Sequence, residues 1–114
     1  MVDRETLKGR VQKGIIFLRS REGNEGGHPE LRGWPTRINL VVLEVLDPVL
    51  CILGQLYGGY ISGLAELGLT MHQAETLGFW LRPEDFDRYP DLTEIWRERL
   101  SAMPEVQEAG KSNG

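Results

Sequence analysis

The stretch Asp47–Leu67, DPVLCILGQLYGGYISGLAEL, decides the fold. From Pro48 to Ala65 it runs 18 residues without a charge, the lower length limit for a membrane-spanning helix. Its interior argues for another reading. Gly54, Gly58, Gly59 and Gly63 interrupt it, Gln55 and Ser62 are polar, and no Lys or Arg flanks it closely. The run therefore reads as buried core helix. Asp47-Pro48 is a helix start, with Asp47 as N-cap and Pro48 at the first helical position. The helix is predicted to reach about residue 58, with Val49, Ile52, Leu53, Leu56 and Tyr60 as its apolar stripe. Gly54, Gly58 and Ser62, four apart, make a second face of small residues where another backbone can approach, so a large side chain at 58 is expected to overpack. Glycines at 58, 59 and 63 predict a break and a second short helix over 60–67.

Cys51 sits in the most apolar part of this run with no Lys, Arg or His nearby, and reads as a small buried hydrophobe. It is the only cysteine, so no internal disulfide forms, which fits a reducing compartment. The charged N-terminus, Met1–Glu5, lacks the apolar core of a signal peptide. A cytoplasmic protein is expected.

Outward from the centre, helices flank the run on both sides. Leu7, Val11, Ile15 and Leu18 recur at spacings of four, four and three and predict a first helix over 3–20. Arg4, Lys8, Arg10 and Lys13 lie largely off that stripe. Residues 21–36 are a Gly-rich loop in which Trp34 pins the chain to the core. A phosphate-loop reading fails there, because no apolar strand feeds the glycines and Pro29 and Pro35 interrupt them. Residues 37–46 are rich in β-branched side chains but have no strand to pair with, and read as an extended or short helical entry to the core.

Thr70 with Gln73 is a capping box opening a short helix that ends at Gly78. Phe79, Trp80 and Leu81 form an aromatic cluster, and 83–91 an acidic loop. Asp91 with Glu94 predicts a last helix to about Met103, which buries Leu92, Ile95, Trp96 and Leu100. The fold expected is mainly α, a compact bundle of four to five short helices over residues 1–103, with 104–114 a disordered tail.

Chemistry is sparse. His28 and His72 make no metal spacing with Cys51, and no Ser or Cys occupies a nucleophile elbow. Glu84, Asp85, Asp87 and Asp91 lack the alternation and glycine hinge of a calcium loop. Tyr57 and Tyr60 are expected to pack with their hydroxyls toward the surface. No cofactor and no enzymatic activity are predicted. Residues 64–79 resemble the first two-thirds of a DNA-binding helix-turn-helix, but no polar or basic recognition helix follows.

The string Cys51–Gly58, CILGQLYG, continues through Tyr60, Gly63, Leu67-Gly68-Leu69, Ala74 and Leu77-Gly78-Phe79. It resembles a family of small uncharacterised proteins of actinobacteria and their bacteriophages. The similarity reaches back to Trp34 and Ile38, forward to Leu92–Trp96, and covers about two-thirds of the chain. Residues 20–33 are a longer loop than that family has. The resemblance brings no catalytic residue or cofactor. It implies a phage or prophage accessory protein in a bacterial cytoplasm, and such proteins commonly bind a host or phage protein.

Two surfaces follow as candidates. Phe79, Trp80 and Tyr89 beside the acidic loop are the residue types that anchor protein interfaces, for a partner or for self-association, although Phe79 and Trp80 read rather more readily as side chains that close the core. Arg4, Lys8, Arg10 and Lys13 suggest a nucleic-acid-associated regulator. Residues 1–37 carry eight Lys and Arg against five acids, whereas 38–114 carry five against twelve. A net charge of −4 opposes generic phosphate binding by the whole chain. Gly54, Gly58, Trp34, Cys51 and Trp96 are expected to be structural.

Overall fold

A computed structural model of the chain describes residues 2–22 and 28–111, with side chains described as far as residue 108. The Gly-rich segment 23–27 and residues 112–114 lie outside the described residues. The fold is mainly α, and the described residues contain seven α-helices and two 3-10 turns. Helix α1 (Arg4–Arg21) opens on Asp3, whose carboxylate accepts the Thr6 N–H at 2.7 Å. Leu7, Val11, Ile15 and Leu18 are buried as the periodicity predicts. A 3-10 turn at Pro29–Leu31 and the single turn α2 (Trp34–Arg37) follow, with Trp34 fully buried. Next come α3 (Ile52–Tyr57), α4 (Tyr60–Leu67) and α5 (Met71–Thr76). A second 3-10 segment, Pro83–Arg88, leads into α6 (Tyr89–Ser101) and α7 (Pro104–Lys111). Among the described residues no helix is long and apolar enough to cross a membrane.

The centre of the core is where α1 meets α6 over the end of α5. A side chain at Gly14 would run into the Leu77 carbonyl at 2.1 Å and the Trp96 ring at 3.0 Å. Only glycine lets α1 come so close. Trp96 is fully buried, donates its indole N–H to the Gly78 carbonyl at 2.7 Å, and stacks on Phe79 at 5.6 Å between ring centres. Gly78 takes φ +78°, the left-handed conformation expected where α5 stops. The Thr70–Gln73 capping box is formed in both directions.

Residues 38–50 are neither strand nor helix. Their backbone groups find side-chain partners instead of a ladder, as buried polar groups must. Thr93 accepts the Val45 N–H at 3.0 Å, and Arg97 donates to the carbonyls of Leu40 and Leu43 at 2.9 and 3.0 Å. Gln55 accepts the Asn39 N–H at 2.6 Å and donates to the Asn39 and Leu50 carbonyls. Helix α6 thus pins an irregular segment that has no strand to pair with.

Four local expectations are corrected. Asp47 does not start α3: its carboxylate accepts the N–H groups of Val49 and Leu50 at 2.8 and 3.0 Å, making a turn one step upstream. Cys51 is the N-cap, its sulfur accepting the Gly54 N–H at 3.2 Å. It is buried as expected, and burial raises its thiol pKa above the ordinary value. The face of Gly54, Gly58 and Ser62 does not exist, because the chain turns at Gly58 with φ +84° and a Cβ there would meet open space. Close approach occurs instead at Gly54, where a Cβ would run into the Pro48 carbonyl, and at Gly63, where one would lie 2.9 Å from Leu53 Cβ. Helix α6 starts two residues before Asp91, so the Asp91–Glu94 box is not a cap; Asp91 pairs with Arg88 at 3.1 Å within the first turn. Finally, residues 104–111 are helical where a disordered tail was expected. Glu105 accepts both terminal nitrogens of Arg19 at 2.8 and 2.9 Å, which fastens α7 to α1 and holds the Glu105 carboxyl below its ordinary pKa.

Candidate functional site

The basic residues of α1 are largely engaged within the chain. Arg4 reaches Glu94 at 3.1 Å, Asp91 at 3.6 Å and Glu98 at 3.8 Å, all on α6. Lys8 pairs with Glu5 at 3.3 Å, and Lys13 is exposed. Half-buried Arg10 lines a polar cleft of about 470 Å³ with Asp3, His72, Glu75, Arg82 and Asp85. Buried Glu75 pairs with Arg82 at 2.8 Å, and buried Asp85 accepts the Val2 N–H at 3.1 Å. The Nη1 of Arg10 is enclosed with no hydrogen-bond partner among the described residues. Cations and carboxylates alternate along this cleft, so it presents no uniform field to a phosphate backbone.

The aromatic cluster divides. Phe79 and Tyr89 are buried, which removes both as surface anchors: for Phe79 the core-closing reading holds, and for Tyr89 the expectation is corrected. Phe79 is taken up by Trp96, and the Tyr89 hydroxyl accepts the Leu81 N–H at 2.9 Å and donates to the Leu81 carbonyl at 3.2 Å. Core closure claims them because Trp96 of α6 stacks on Phe79 while Tyr89, at the start of α6, reaches back to the chain leaving α5. Trp80, between them in neither role, is half-buried. It forms one wall of a groove of about 330 Å³.

Phe79, Val45 and Tyr89 are buried at the base of that groove, while Leu46, Ile61, Met71 and Trp80 rise around it. Ile61 is 70% exposed, Leu46 47% and Met71 40%. Three neighbouring aliphatic side chains left in water beside a half-exposed tryptophan make a contiguous apolar surface, the kind that marks a contact site. The Tyr60 hydroxyl donates to Met71 Sδ at 3.8 Å, and burial raises the pKa of both Tyr60 and Tyr89 above the ordinary range. Both phenols therefore stay neutral at physiological pH. The groove offers apolar contact area and the Tyr60 hydroxyl, since that of Tyr89 is taken up by the Leu81 backbone.

No family model matches this chain, and no curated protein or solved structure matches it at a significant level. The groove must be read on its own chemistry.

Of the residues that wall it, only Trp80 was predicted. Leu46, Ile61 and Met71 were missed, and Ile61 had a visible signal. Tyr60, Gly63, Leu64 and Leu67 form the i, i+3, i+4, i+7 stripe of α4 that faces the core. Ile61 stands one residue off that stripe, an apolar side chain on the outward face. Tyr57, also expected to show its hydroxyl, instead buries it without a partner among the described residues, and its pKa is pushed up to about 12, first by burial and then by Glu30.

Proposed function

We propose that this chain is a non-enzymatic interaction protein whose contact surface is the groove walled by Leu46, Ile61, Met71 and Trp80. The exposure of Ile61 beside Trp80 is the observation that carries the reading. Leaving such side chains in water forgoes roughly 1.5–3 kcal/mol apiece that full burial would supply, and a partner's surface recovers part of it. Trp is also among the commonest anchors of binding energy at interfaces. The resemblance of the Cys51–Gly58 string supplies the setting: a phage or prophage accessory protein at work in a bacterial cytoplasm.

The alternative, a nucleic-acid-associated regulator working through α1, draws less support, since Arg4 and Lys8 already have carboxylate partners. Photo-crosslinking inside actinobacterial cells separates the two. A benzophenone amino acid is placed at Ile61 in one protein and at Lys13 in another. A discrete protein adduct from position 61, absent from position 13, is expected. Nucleic-acid adducts, or protein adducts from position 13 alone, would sink the groove reading.

A further inference from the structure

The apolar groove does not stop at Leu46 and Pro48. These two residues also line an adjoining depression of about 350 Å³ whose other walls are Glu44 and Asp47. The two hollows therefore lie side by side across Leu46 and Pro48, one apolar where Ile61, Met71 and Trp80 stand and the other acidic. Among the described residues no Lys, Arg or His lines either part. Glu44 is exposed, and one oxygen of Asp47 is occupied by the Val49 and Leu50 amides. Two carboxylates thus stand at one end of an apolar surface, with no cation among the described residues lining it to offset them.

Resting on the groove reading above, we propose that the occupant is a cationic amphipathic peptide segment of a partner protein. Its apolar side chains lie against Ile61, Met71 and Trp80, and a Lys or Arg reaches the Glu44–Asp47 end. Charge complementarity is the ground for this choice. An acidic segment would face two like charges, and a wholly apolar one would leave the acidic end unused. The positive residue mainly adds orientation and encounter rate, whereas the apolar contacts supply most of the affinity.

The test is a selection of random twelve-residue peptides displayed on phage against the full chain, with counter-selection on Ile61→Asp. The expected winners carry an aliphatic or aromatic residue with Lys or Arg a few positions away. Synthesised, they should bind Glu44→Lys about fivefold or more weakly at low salt, and the difference should close at about 1 M salt. Glu44 is chosen because Asp47 holds a turn and its replacement could disturb the fold. Winners that depend on Ile61 yet carry no cation and ignore Glu44→Lys would overturn the cationic partner and leave the groove reading standing. If no selected peptide depends on Ile61, both fall. A chain that sediments as a dimer with Ile61 protected from solvent would also overturn the peptide occupant, while keeping an interaction role.

Discussion

Two regions of this molecule treat their conspicuous side chains in opposite ways. On α1, Arg4 meets three carboxylates of α6 and Arg19 is clasped by Glu105 of α7. In the groove, Leu46, Ile61 and Met71 stand exposed around buried Phe79 and Tyr89. The charged face is used in holding the helices together; the apolar face is left over from it. Charge in a sequence was the more visible feature and the less available one. A residue type shows what a side chain can do, and the fold decides whether it is already doing it.

The contrast is broken or sharpened by substitution, beginning where packing is densest. Trp96→Ala empties the contact that joins α1, α6 and the α5 exit, and should lower stability by about 3–5 kcal/mol in urea denaturation. Loss of less than about 1 kcal/mol would mean that the core is not organised around that ring. Gly14→Ala places a methyl group into the Leu77 carbonyl, and about 1–3 kcal/mol should be lost as α1 is pushed away. At Gly9, where a Cβ meets nothing within 4 Å, the same substitution should stabilise modestly, by up to about 1 kcal/mol.

Alkali reports on the region between. All three tyrosines, Tyr57, Tyr60 and Tyr89, have phenol pKa values raised, chiefly by burial. A raised folded-state pKa contributes stability that is complete below the unfolded value near 10 and lost as pH climbs through the folded one, about 12 for Tyr57. Absorbance of phenolate should therefore stay low in the native protein at pH 10 and rise with unfolding above it, whereas the urea-unfolded chain titrates near 10. A native titration midpoint at 10 would show these rings to be accessible. The smallest effect belongs to the exposed charges: Arg4→Ala should change stability by no more than about 1 kcal/mol despite its three carboxylate neighbours.

Much of the fold was legible because its signals are local. The α1 stripe, the α4 boundaries set by Gly59 and Gly68, the Thr70 capping box and the burial of Trp34, Cys51 and Trp96 each follow from spacing within a few residues. Asp47-Pro48 misled because the same carboxylate that caps a helix also closes a turn, and which N–H groups it meets depends on where Cys51 lies. The small-residue face failed because Gly58 serves a left-handed stop, a role that spacing alone does not distinguish from close packing. Residues 37–46 had no readable class, since Thr93, Arg97 and Gln55 satisfy their backbone from distant positions. For the site, the sequence offered Trp80 but also Phe79 and Tyr89, three aromatics of equal apparent merit. Only the arrangement of α4, α5 and α6 decides which is buried, and only the irregular segment pinned on α6 brings Leu46 beside Ile61.

The central claim is that the groove, and not the basic helix, carries recognition. Partner retention measured side by side for wild type, Ile61→Asp and the double variant Lys8→Glu, Lys13→Glu tests it most directly. All three are expected to melt alike, because exposed positions away from special features shift stability by about 0.5 kcal/mol or less. With the protein that crosslinks at position 61 as probe, Ile61→Asp should weaken binding at least about tenfold, roughly 1.4 kcal/mol, while the helix variant binds as wild type does. Unchanged binding by Ile61→Asp with loss in the helix variant would contradict the claim and return the basic helix to first place.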